Sequence, residues 1–154
     1  MSTTQTAPSP TIRNAGTSPV KPRKLFVNIP VRDLQRSIDF FETLGFTFNT
    51  QFTDATATSM LVGEDAYFML LTHEKFASFS RLPIGDPRRE TAALYAFSVG
   101  SREEVDEIVK KAIAAGGAKA LDPQDHGFMY GWSFLDPDGH HWEVFWMDPA
   151  FVEG

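Results

Sequence analysis

The sequence predicts an α+β fold built from two copies of one βαβββ module. Three observations predict it. First, the order strand, helix N-cap, amphipathic helix, glycine and hairpin occurs twice between residues 24 and 149. Second, equivalent residues keep a nearly constant separation. Val31 to Val99 is 68 residues; Leu34 to Val105, Ile38 to Val109 and Gly45 to Gly116 are each 71; the closing hairpin strands superpose at 73, with Tyr67 on His140 and Leu70 on Glu143. Loop insertions between matching elements give such slowly growing offsets. Third, residues 1–23 are rich in Ser, Thr and Pro and hold no acidic residue, so they read as a flexible tail outside the repeat. The tail is acid-poor and Arg-bearing, as transit peptides are, but Pro8, Pro10, Pro19 and Pro22 would break an amphipathic helix.

The first module is expected over 24–80. Leu25, Val27, Ile29 and Val31 alternate with other residues at the period of a strand. Asp33 stands at a helix N-cap, and Leu34, Ile38, Phe41 and Leu44 form an apolar stripe ending at Gly45. Strands follow near 47–52, 56–62 and 67–72, the last after a Gly63-Glu64-Asp65 turn, and Phe76 and Phe79 suggest a short helix. Residues 81–90, with Pro83, Gly85 and Pro87, read as a linker. The second module is expected over 91–149, with 150–154 as a short C-terminal end. It has a strand at 92–99, and Ser101 with Glu104 makes a capping box. Val105, Ile108, Val109 and Ala112 form the stripe that Gly116-Gly117 ends. Strands at 118–121 and 128–135, an Asp138-Gly139 turn and a strand at 140–147 complete it.

Composition narrows the function. A net charge of −6 argues against a phosphate-backbone binder, so no nucleic-acid partner is expected. No apolar run approaches the roughly 18 residues of a membrane span, and no signal-peptide core is visible, so a cytoplasmic protein is expected. With no cysteine there is no disulfide, thiolate site or Cys nucleophile. Fourteen Phe and three Trp supply large buried surfaces.

Three segments carry a family likeness: KLFVNIPVRDLQRSIDFFETLGF (24–46), YFMLLTHEKF (67–76) and GFMYGWSFLDPDGHHWEVFWMDP (127–149). A strand with V-x-D, a helix and L-G-F, closed later by D-P-D-G and W-E-V, resembles the vicinal-oxygen-chelate superfamily. That superfamily holds glyoxalase I, bleomycin-resistance and extradiol-dioxygenase proteins. The resemblance implies sheets that curl into an open cup, helices outside, a small-molecule ligand or substrate, and a homodimer. It also implies four metal-ligand positions, which fall here on Phe26, Leu70, Leu94 and Glu143. The offsets pair Phe26 with Leu94 and Leu70 with Glu143.

Of these four, only Glu143 can coordinate a cation, so no cofactor is the first expectation. The alternative is a divalent Zn, Ni, Fe or Mn ion on a displaced site using Glu143 and His141, with Asn28 nearby. On the cup reading, the pocket is lined by Phe26, Asn28, Leu70, Leu94, His141, Glu143 and Phe145, with Trp132 and Tyr130 near its edge. Glu143 is its polar anchor, or its base in an enzyme. Plainer readings stand beside these. His140 and His141 flank a turn and read as solvated; His73 reads as a cap for a following helix; His126 reads as an exposed loop residue. Trp142 and Trp146 read as core. Arg88 with Arg89, and Lys110 with Lys111, read as solvated charges. Two functions follow: a metal-free protein binding a small aromatic or cationic molecule, or a glyoxalase-type lyase or extradiol-type dioxygenase.

Overall fold

The computed structural model describes residues 6–16 and 19–151. Of the expected tail, residues 1–5 and 17–18 lie outside the described residues, as do 152–154 of the C-terminal end. The elements are β1 (Leu25–Val31), α1 (Leu34–Thr43), β2 (Thr47–Asn49), β3 (Ala57–Gly63), β4 (Ala66–Thr72), α2 (His73–Phe79), β5 (Leu94–Ser98), α3 (Arg102–Ala114), β6 (Ala118–Lys119), β7 (Gln124–Asp125), β8 (Met129–Leu135) and β9 (His141–Met147).

Two unclosed sheets share one strand order. The first is β1-β4-β3-β2 and the second β5-β9-β8-β6, with the short β7 beside β8. In each, the opening strand runs parallel to the closing one and the rest pair antiparallel. The local signals behind the repeat are present. The Asp33 and Ser101 side chains accept from Arg36 N and Glu104 N, as N-caps do. Glu104 reaches Gly100 N rather than the N-cap amide. Gly45 and Gly116 end the two helices at φ +100° and +112°, a left-handed conformation that glycine adopts without steric cost. The strand expected at 47–52 is shorter because Thr50–Phe52 forms a 3-10 turn. No helix among the described residues is long and apolar enough to cross a membrane.

The core lies between the sheets and holds one face of α1 and one of α3, while α2 buries no residue. Ile29, Phe68 and Leu70 from the first sheet join Trp142, Val144 and Phe134 from the second, with Phe41 and Val105 from the helices. Trp142 is fully buried and packs on Phe41, Phe68, Tyr95, Phe97 and Phe134. The ring of Phe68 lies 5.1 Å from Tyr95 and 4.7 Å from Trp142, so these faces of the two sheets meet. Strand side chains alternate, so the opposite faces turn away from the common core.

The turn at 136–140 clasps the second module to the first. Asp136 accepts from Asp138 N, His140 N and the Trp142 indole at 2.9–3.0 Å. Burial pushes its carboxyl above the usual range, while the neighbouring His140 and the indole hydrogen bond act the other way. Asp138 accepts from Arg32 N at 2.8 Å and lies near Ser37 and Arg36 on α1. His140 is corrected from the solvated reading: it is buried, and its Nε2 meets the Pro30 carbonyl at 2.8 Å.

Candidate functional site

Pairing register decides which residues face the hollows. Asn28 pairs with Met69 in the first sheet, and Ala96 with Glu143 in the second. Phe26 corresponds to Leu94, so the closing strands superpose at 74 residues, and the counterpart of Glu143 is Met69. Leu70 is therefore corrected. It is fully buried beside Ile29 in the core. The sequence-based offset of 73 missed by one residue because the two hairpins differ. The first has a two-residue turn and an irregularity between Leu61 and Gly63, and the second a five-residue turn. With a side-chain period of two, a slip of one residue exchanges the faces.

The candidate residues are divided between the two sheets. On the first sheet, Phe26 is half-exposed and stacks on Tyr67 with ring centroids 4.9 Å apart. Asn28 borders a hollow of about 460 Å³ under α2, with Leu71, Phe76 and Phe79. His73 is the first residue of α2, but the cap is Thr72, whose side chain accepts from Lys75 N. On the second sheet, Glu143 and Phe145 line a hollow of about 390 Å³ with Leu121, Met129, Gly131 and Ser133. Leu94 lies on the same face of this sheet and is well exposed. Trp132 borders the hollow while packing against the core, and its buried indole N–H has no partner among the described residues. Tyr130 also packs against the core, away from the hollow face, and donates to Asp106. Burial, with that carboxylate, pushes its phenol up to about 12. A groove of about 660 Å³ between α1 and α3 is larger, but it is a shallow, charged surface on the far side of the sheets.

His141 and Glu143 come together. The imidazole Nε2 lies 2.7 Å from Glu143 Oε1, and their side chains are 12% and 31% exposed. Sequence reasoning named both residues but not their contact, which follows from their spacing of two on one strand face. His141 also opens on a crevice of about 170 Å³ with Tyr95 and Ile84. His126 is exposed, as expected.

The donor set does not fit the metal that the resemblance implies. Phe26 and Leu94 carry no donor, and Met69 offers only a soft thioether. Glu143 and His141 make two donors, where a catalytic site commonly has three protein ligands. No group of three or more His, Cys, Asp or Glu residues placed to hold an ion occurs among the described residues.

Comparison with known proteins adds the following. Residues 25–144 match the family model described as Glyoxalase/Bleomycin resistance protein/Dioxygenase superfamily. Among solved structures, hypothetical protein SA1046 from S. aureus is 28% identical, with 82% of this chain and 95% of that one covered at a TM-score of 0.69. A glyoxalase/bleomycin resistance protein/dioxygenase family enzyme from Burkholderia phytofirmans PsJN is 23% identical, covering 79% and 96% at 0.66. The fosfomycin resistance protein FosX from Listeria monocytogenes is 18% identical, covering 85% and 98% at 0.60. The last two likenesses speak for the fold alone. No curated protein matches the chain significantly.

Proposed function

Because the chain belongs to the glyoxalase/bleomycin resistance protein/dioxygenase superfamily, we propose that it binds a small aromatic cation in the hollow of the second sheet, without the family's usual metal. Glu143 is the polar anchor. The observation that carries this reading is the Glu143 carboxylate on a mostly apolar floor of Leu121, Met129, Phe145 and Met147, with Gln124 and Ser133 as neutral polar neighbours, in a hollow of about 390 Å³. That size and makeup suit a small-molecule site. Asp122 also borders the hollow, but it is mostly exposed and paired with Lys119 at 2.8 Å. The imidazole of His141 fixes the Glu143 carboxylate in place at 2.7 Å, leaving its second oxygen for a ligand.

The reading includes a homodimer. Leu25, Phe26 and Leu94 are 52–62% exposed on strands that open the two sheets, and a second copy would cover them. A second function is favoured by one observation, the contact of His141 with Glu143. It is a glyoxalase-type lyase or extradiol-type dioxygenase with a displaced metal held by these two residues.

Titration with benzylammonium, followed by NMR, tests the anchor. Glu143→Gln keeps the shape and an oxygen for His141 but removes the charge. A hydrogen bond to a charged group contributes about 1.5–3 kcal/mol, so binding should weaken by about 10- to 100-fold. Equal affinity in both proteins contradicts the role given to Glu143.

A further inference from the structure

Gly131 has no structural need to be glycine. It lies inside β8, and its φ is not positive. A Cβ there would meet Val144 O at 3.6 Å and Phe145 Cβ at 3.7 Å, both ordinary contacts. Glycine weakens a strand interior, and its presence there often marks a close approach by another group. At this position it leaves bare peptide on the floor of the hollow described above.

The surroundings give that bare patch a shape. Gly131 pairs directly with Phe145 on one side and with Gln124 on the other. Glu143 lies two residues from Phe145 on the same face of β9, about 7 Å along the strand. Ser133, opposite Glu143, is buried, and its hydroxyl oxygen accepts from Leu121 N at 3.0 Å. The floor is thus a slot with an aromatic wall, and a carboxylate stands at one end.

We infer that Gly131 determines ligand shape: a planar ring lies flat on the bare peptide at Gly131, against Phe145, with its cationic substituent at Glu143. The inference rests on the binding reading above and adds a specificity-determining residue to it. A side chain at 131 would lift the ring from the floor. A puckered ring of the same charge makes less contact with that floor, so it should lose less from the change.

Benzylammonium and cyclohexylmethylammonium differ in this one respect. NMR titration of the full chain should show the wild type preferring benzylammonium by about three- to tenfold, the range that aromatic contacts supply. Gly131→Val should abolish that preference by weakening benzylammonium more than cyclohexylmethylammonium. Gly131→Ala should reduce the preference partway, and it carries the test if the valine variant fails to fold. Both variants should melt no lower than wild type. A preference that survives both substitutions overturns the inference, as does an equal loss for the two cations. If the wild type binds both cations equally and loses both in Glu143→Gln, the binding reading stands and the role of Gly131 falls. If it binds neither, both fall.

Discussion

Trp142→Ala should lower the unfolding free energy by about 3–5 kcal/mol, the usual cost of removing a large buried aromatic. The side chain is fully buried and touches five rings drawn from both sheets and from α1. Its indole also donates to Asp136 at 3.0 Å. The alanine variant leaves a cavity and takes one donor from a buried carboxylate. A domain of this size commonly has about 5–15 kcal/mol in total, so the loss is a large share. Thermal melting should show a fall of about 6–20 °C, at roughly 2–4 °C per kcal/mol. Trp142→Phe keeps a ring and should lose less. A melting point within a few degrees of wild type for Trp142→Ala contradicts the placement of the core.

Asp138→Ala should cost about 2–3 kcal/mol by removing a charged acceptor from a buried hydrogen bond. Asp138 is almost fully buried and holds Arg32 N at 2.8 Å across 106 residues of sequence. The guanidinium contacts of Arg32 and Arg36 add little, because those side chains are 36% and 43% exposed. Asp138→Asn retains an acceptor and should cost roughly half as much. Urea unfolding measures both, and amide exchange should quicken at Arg32–Ser37 in the alanine variant. An unchanged urea midpoint contradicts the clasp between modules.

These two residues also mark what the sequence could and could not disclose. Trp142 was readable as core because a strand alternates with period two and its neighbour Glu143 points the other way. The caps Asp33 and Ser101, and the stops Gly45 and Gly116, were readable because each acts on its own backbone within a few residues. The clasp of Asp138 and His140 was not, since its partners Arg32 and Pro30 lie more than 100 residues away and leave no periodic trace. Leu70 was misplaced for a different reason. Offsets within helices are fixed by the 3.6 period, whereas the offset across a hairpin depends on turn length. One residue there exchanged Leu70 for Met69. Nor does local periodicity tell how the faces of two sheets are disposed. The expected pocket therefore joined Phe26 and Asn28 of one sheet to Glu143 and Phe145 of the other.

The chain keeps the superfamily fold, and at three of the four positions where the resemblance implies metal ligands it carries Phe26, Met69 and Leu94, which offer no donor suited to Zn, Ni, Fe or Mn. Metal content tests that account most directly. The full chain, purified without chelator and equilibrated with each of these ions in turn, should retain well under one ion per chain by elemental analysis. Glu143→Gln should retain the same amount. One tightly held ion per chain in the wild type, lost in Glu143→Gln, would contradict the metal-free account and favour the lyase or dioxygenase reading.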